Sequence, residues 1–138
     1  MTKRSHNTEP KRKYILELDE DQVQALSNAC EIASRLAMGQ FTEITNDLWF
    51  HWKVDHDTRD VCENILTTSK SMLTGLDRNS YFSISSPDVA ENFKIMYDLH
   101  QVVRYRLAWD RNPSDDWNVH KNEPLKVSQS PLAKISSK

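Results

Sequence analysis

The sequence predicts a mainly all-α fold, an irregular compact bundle of about four helices with room for a minor two-stranded element. Apolar residues recur at steps of three and four along four separate segments, which is typical of amphipathic helices. The chain has only two glycines among its 138 residues, too few for an all-β fold that is dense in turns. Its length fits a single domain.

The first helix is predicted to begin after Asp19 and to end at Gly39. Asp19 and Gln22 match a capping box, in which each side chain binds the backbone N–H of the other residue. Glycine readily takes the left-handed conformation that ends many helices. The apolar face of this helix recurs at steps of three and four: Val23, Leu26, Cys30, Ala33 and Ala37.

A second helix is predicted over about 41–53, and a third from the N-cap Asp57 to Gly75. The second has an apolar period at Phe41, Ile44, Leu48 and Trp52. The inner face of the third is predicted to consist of Val61, Ile65, Ser69 and Met72, with Cys62 and Leu73 beside them. Both helices are short, so we expect an irregular bundle.

The fourth helix is predicted to begin with Ser86 as N-cap and Pro87 at the first helical position, and to run to about Trp109. Its apolar face is formed by Val89, Phe93, Met96, Val103 and Leu107. The preceding loop, 75–85, contains Tyr81, Phe82 and Ile84, which are candidates for a short strand. Such a strand would pair with the alternating residues 14–18.

The charges divide the chain into three parts, although the formal net charge is only −2. Residues 1–13 carry five basic and one acidic residue, and residues 121–138 carry four and one. We interpret both as basic, solvated tails. The single helical domain between them, 14–120, has nine basic and eighteen acidic residues. An acidic body repels phosphate backbones, which argues against general nucleic-acid binding.

Several function classes lack their sequence signals. Two isolated glycines do not form a glycine-rich phosphate loop. No stretch approaches the roughly 18 apolar residues of a membrane helix, and no apolar signal-peptide core lies near the N-terminus. Cys30 and Cys62 form no CxxC pair, which favours a reducing compartment. We therefore expect a cytoplasmic protein without a cofactor or a membrane partner.

The fourth helix carries the side chains best suited to binding a ligand: Tyr97, His100, Arg104, Trp109 and Arg111. Arginine and histidine can hold a phosphate or carboxylate through forked, charge-assisted hydrogen bonds. Tyr97 or Trp109 could stack on a base. In the alternative interpretation, His100 is a satisfied core histidine and Arg104 pairs with Asp98 or Glu43.

A weaker candidate site lies after the second helix, where His51, Asp55 and His56 offer nitrogen and oxygen ligands for a divalent ion. Such spacings arise by chance on polar faces, and no HExxH or GxSxG motif supports them. No catalytic residue is assigned, and a small metal-dependent or acid–base enzyme remains an alternative. A second alternative is a structural or regulatory interaction domain. Trp49, Phe50 and Trp52 cannot all be buried by one helix face, so they are candidates for a homo-oligomeric contact.

Four runs of the chain resemble a group of small phage and prophage proteins: YILELDEDQ (14–22), RLAMGQF (35–41), QVVRYRLAWDRNP (101–113) and NEPL (122–125). The resemblance implies a context and not a chemistry, because small phage proteins of this kind often act by binding. Some block a host factor and others sequester a nucleotide signal, often as oligomers. The resemblance therefore favours a non-enzymatic binding protein, active in the cytoplasm of a bacterial host, that counters a host defence.

Overall fold

The computed structural model describes residues 10–114 and 118–138, and for residues 47–51 it describes the backbone alone. The regular elements of these residues are α1 (Glu20–Ala37), α2 (Glu43–Trp52), α3 (His56–Thr74), α4 (Glu91–Arg111) and a 3-10 helix, Val119–Lys121. They form a compact helical bundle, which confirms the predicted fold class. None of these helices has the length and apolar content needed to cross a lipid bilayer.

Both ends of α1 are set by local sequence, as predicted. The Asp19 carboxylate accepts from the Gln22 N–H at 2.8 Å, and the Gln22 side chain accepts from the Asp19 N–H at 2.9 Å. After α1, Gly39 has φ +89°, a conformation that side chains rarely adopt. A Cβ at Gly39 would lie 3.3 Å from Leu76 Cδ1, so this glycine also permits a close approach of the loop after α3.

The helices α1 and α4 run antiparallel and form the centre of the bundle. Glu20, at the start of α1, contacts Arg111 at the end of α4, and Ser27 contacts His100 near the middle of α4. The buried residues on the facing sides of the two helices are Ser27, Cys30 and Ser34 of α1 and His100, Val103 and Leu107 of α4. The α1 side chains are small, which lets the two backbones come close together.

The buried face of α1 is therefore rotated from the predicted one. Leu26 lies at the edge of the contact and is partly exposed, whereas Ser27 and Ser34 are almost completely buried. Both hydroxyls have partners, since Ser34 donates to the Glu31 carbonyl at 2.9 Å and Ser27 lies 2.8 Å from His100 Nδ1. The close contact between the two helices leaves room only for small residues, and these include polar serines. A prediction based on apolar residues alone therefore does not identify the buried face.

The helix α2 lies within its predicted range, but α3 begins two residues earlier than expected. Its N-cap is Asp55, whose carboxylate accepts from the Thr58 N–H at 2.7 Å and from the Thr58 hydroxyl at 3.1 Å. Asp57, the predicted N-cap, lies inside the first turn, where its charge still suits the helix dipole. The predicted end at Gly75 is confirmed, with φ +72°.

The predicted inner face of α3 is wrong. Val61 is 57% exposed, Ile65 60% and Met72 81%. The opposite face packs against the chain through Lys70, which is only 6% exposed. The Lys70 ammonium donates to the carbonyls of Arg78 at 2.9 Å and of Ser80 at 2.8 Å. It therefore fixes the loop after α3, and the apolar face is left outward.

The start of α4 also differs from the prediction. The Ser86 hydroxyl accepts from the Asp88 N–H at 3.1 Å and so closes a local turn. The helix begins only at Glu91, after Ala90, which provides no side-chain cap. Val89, between the turn and the helix, is 2% exposed and anchors the connection in the core.

The candidate strand pair is not formed, because the described residues contain no strand. The Phe82 N–H instead donates to the Met38 carbonyl at 2.9 Å, so the loop closes on the end of α1. Tyr14, Ile15 and Leu16 remain exposed in an irregular segment.

Part of the C-terminal segment, interpreted above as a tail, is anchored on α4. Asp98, which is 4% exposed, accepts from the Val127 N–H at 2.9 Å, from the Ser128 N–H at 3.1 Å and from the Ser128 hydroxyl. Glu91 accepts from the Gln129 N–H. Further towards α4's end, the Lys121 ammonium lies 4.3 Å from the centre of the Trp109 ring.

The variant Asp98→Ala removes the acceptor of three hydrogen bonds at once. We expect it to lower the free energy of unfolding by about 1–3 kcal/mol, the usual cost of leaving buried donors unpaired. Trypsin cleavage at Lys126 and Lys134 should become faster in the folded chain. Urea unfolding and timed proteolysis measure both effects. Asp88→Ala, at an exposed turn position, is the control, and equal cleavage rates in the two variants would show that Asp98 does not hold the segment.

Candidate functional site

The predicted ligand residues of α4 divide into two groups in the structure. Tyr97, His100 and Arg104 lie together at a cavity between α1 and α4. Arg111 instead contacts α1, with Nε 2.6 Å from Glu20 Oε1 and Nη1 2.8 Å from Gln24 Oε1. Trp109 is half-buried under Lys121. The helical spacing thus brings three of the five residues to one place.

This α1–α4 cavity has a volume of about 270 Å³. Its lining residues are Glu31, Ser34, Arg35, Met38, Gln40, Tyr81, Tyr97, His100, Gln101 and Arg104. The last turns of α1 and the middle of α4 supply most of this lining, and Tyr81 of the loop after α3 completes it. Two tyrosines and two arginines therefore line one space.

Buried His100 connects the floor of this cavity to the core. Its Nδ1 lies 2.8 Å from the Ser27 hydroxyl and its Nε2 lies 3.7 Å from Glu31 Oε2. Since a carboxylate faces Nε2, the proton of the neutral ring belongs there, and Nδ1 accepts from Ser27. Burial lowers the pKa of His100, and the charges of Arg104 and Arg35 lower it further against the opposing effect of Glu31. His100 is therefore neutral at pH 7.

The guanidinium of Arg104 has no carboxylate partner among the described residues. Its Nη2 donates to Gln101 Oε1 at 2.6 Å. The two carboxylates considered as partners are engaged elsewhere, since Asp98 holds the C-terminal segment and Glu43 lies 3.5 Å from Arg35. Arg104 thus places a positive charge at the cavity that no carboxylate of the described chain offsets by direct contact.

Arg35 differs from Arg104 in being fully engaged. It binds Glu31 through Nε at 3.1 Å and Nη2 at 2.9 Å, and Nη1 donates to Gln40 Oε1 at 3.2 Å. Glu31 divides its oxygens between Arg35 and His100. This network fixes the wall of the cavity, and an anion that approached Arg35 would have to compete with Glu31.

A second cavity, of about 350 Å³, adjoins the first and lies between the end of α1 and α3. The two share Arg35, Gln40 and Tyr81. Among the described residues that line either cavity, the cations are Arg35, Lys70, Arg78 and Arg104, and the anions are Glu31 and Glu43. The lining of the two cavities thus carries more positive than negative side chains, within a domain whose sequence is strongly acidic.

Sequence analysis did not identify three of the lining residues, which both cavities share. Arg35 follows Glu31 by four positions, a spacing typical of an exposed helical ion pair. Gln40 and Tyr81 lie in segments without periodicity. No signal in these segments could have placed them beside α4, because their position depends on how α1 ends and how Lys70 holds the loop.

The candidate metal site lies partly outside the described residues. Asp55 caps α3 and His56 begins it, whereas the side chain of His51 lies outside the described residues. Among the residues whose side chains the structure describes, no three potential metal-ligating side chains come together. Of the candidate oligomer contact, Trp52 is 64% exposed, and the side chains of Trp49 and Phe50 lie outside the described residues.

The lowered pKa of His100 gives a test of its burial. The unfolded chain takes up the His100 proton near pH 6.5, and the folded chain does so only at lower pH. Stability should therefore fall as the pH decreases from about 7.5 to about 5.5. His100→Gln should weaken this dependence in urea unfolding, and His120→Gln, at an exposed position, is the control. Identical pH profiles for the chain and for His100→Gln would contradict the assignment.

No protein-family model, no curated protein and no solved structure matches this chain significantly. The two cavities and their charges are therefore the observations from which a function can be argued.

Proposed function

We propose that the chain is a non-enzymatic binding protein whose α1–α4 cavity holds an anionic, nucleotide-like small molecule. The observation that supports this proposal most strongly is Arg104, a cation at a cavity wall with no carboxylate partner in the described residues. A guanidinium presents a planar fork of donors that matches phosphate or carboxylate oxygens. An anion bound there would supply the missing counter-charge.

The other walls suit the rest of a nucleotide. Tyr97 and Tyr81 both line the cavity, and aromatic rings offer flat faces on which a base can stack. Gln40 and Gln101 add amide groups that can donate to or accept from the ligand. The two adjoining cavities have volumes of about 270 and 350 Å³, near the lower end of the range for small-molecule sites.

Binding is favoured over catalysis by the state of His100. It lines the same cavity as Arg104, but it is 5% exposed and engaged with Ser27 and Glu31. A general acid or base needs hydrogen-bond reach to its substrate. A histidine held in this way is better suited to supporting the cavity floor than to exchanging protons with a ligand.

The resemblance to small phage and prophage proteins supports a biological setting for such a site. In that setting, the protein acts in the cytoplasm of a bacterial host, where it acts on a host factor or sequesters a nucleotide signal. Sequestration needs affinity and no turnover, which agrees with a binding cavity whose wall is fixed by the Arg35 network.

Thermal unfolding in the presence of a nucleotide panel tests the proposal. A ligand at a hundred times its Kd should stabilise the chain by about 2.7 kcal/mol, which is a measurable rise in Tm. The panel comprises nucleoside mono- and triphosphates, cyclic nucleotides and dinucleotides, with inorganic phosphate as a separate probe.

Variants locate the site. Arg104→Ala should abolish the rise in Tm, whereas Arg106→Ala should retain it, because Arg106 lies on the same helix but pairs with Asp110. A rise that persists in Arg104→Ala would place the ligand elsewhere. No rise with any member of the panel would refute nucleotide binding, and a rise with phosphate alone would reduce the proposal to a simple anion site.

A further inference from the structure

The outward face of α3 is apolar over three turns. It consists of Val61, Ile65, Thr68 and Met72, which we name the α3 seam. Val61, Ile65 and Met72 are each more than half exposed, with Met72 at 81%. No described element of the chain covers them. Such a face costs free energy in water, so its persistence in the sequence needs a physical reason.

The spacing of the α3 seam is that of a helix–helix contact. Its residues follow one another at steps of four, three and four, which is the a/d pattern of paired helices. At about 100° per residue the four side chains lie within a narrow stripe. Lys70, which binds the chain's own loop, lies on roughly the opposite side. Thus α3 has one face for its own bundle and one that is free to pair.

The α3 seam also lacks the charges of a solvated face. Lys70 is the only charged residue between Asn64 and Leu76, and it is buried. In a chain with 28% charged residues, an exposed helix would normally carry charges on its water-facing side. The absence of charge here is what an interface core requires.

We propose that two copies of this chain pair through their α3 seams in an antiparallel arrangement. A two-fold interface brings a patch against itself, so it cannot contain like charges in close contact. The domain is strongly acidic by sequence, and most of its surface would repel a second copy. The uncharged α3 seam is a surface at which two copies can meet without this repulsion.

The charges at the start of α3 set the direction. Asp57 and Asp60 are exposed in its first turns, and a parallel pair would bring the four carboxylates of the two copies together. In the antiparallel pair, Val61 of one copy faces Met72 of the other, and Ile65 faces Thr68. The two Asp57 residues then lie about 28 Å apart along the axis, which is beyond the screening length of about 8–10 Å.

Mass measurement in solution tests the pairing. Light scattering on the full chain should give twice the monomer mass of 16.1 kDa at high concentration and a decrease towards the monomer on dilution. Ile65→Glu should be monomeric at every concentration while its helix content stays unchanged, because Ile65 is exposed. Leu125→Glu, at another exposed apolar position, should remain dimeric. A monomeric parent chain, or an Ile65→Glu dimer, would overturn the proposal.

Cysteine cross-linking tests the direction, in a Cys62→Ser background that removes the neighbouring thiol. Mixing Val61→Cys with Met72→Cys should give a disulfide-linked heterodimer under mild oxidation. Val61→Cys alone should not cross-link, because its two copies would lie about 16 Å apart. Efficient cross-linking of Val61→Cys alone, without the heterodimer, would overturn the antiparallel arrangement.

Discussion

The contact between α1 and α4 is the constraint on which the rest of the structure depends. Ser27, Cys30 and Ser34 allow the two helices to approach, and the Ser27–His100 contact fixes their register. Few large side chains are buried among the described residues, so the bundle relies on close backbone packing more than on a large apolar core. The cavity beside His100 lies next to this contact and is lined by residues of both helices, among them Met38 and Tyr97.

The same contact arranges the charges of the cavity. Glu31 follows Ser27 by one turn of α1, and its two oxygens are shared between His100 and Arg35. This arrangement neutralises Arg35 and leaves Arg104, one turn after His100, without such a partner. An anion in the cavity would therefore be drawn to the α4 side. The acidic body around it would favour release, so affinity must come from the few groups that converge at Arg104.

Short-range features of the fold could be predicted from the sequence, and long-range ones could not. The Asp19–Gln22 capping box and the helix end at Gly75 depend on residues within one turn. The predicted start of α4 at Ser86 and Pro87 was wrong because the same residues also favour an isolated turn. The predicted N-cap of α3 was wrong because Asp55, two residues before Asp57, provides the cap. The face of α3 was periodic, but periodicity does not reveal whether anything covers it. In the candidate site, the helical spacing of α4 was enough to predict that Tyr97, His100 and Arg104 lie together.

The Ser27–His100 contact also has a consequence for the order of folding. It joins residues 73 positions apart, so α2 and α3 lie inside a large loop that must close before the central pair exists. Such non-local pairing slows folding relative to bundles in which successive helices pack on one another. During synthesis, α1 emerges long before its partner. The small residues on its inner face can be covered only once α4 has left the ribosome. The native topology therefore forms only after α4 has been synthesised.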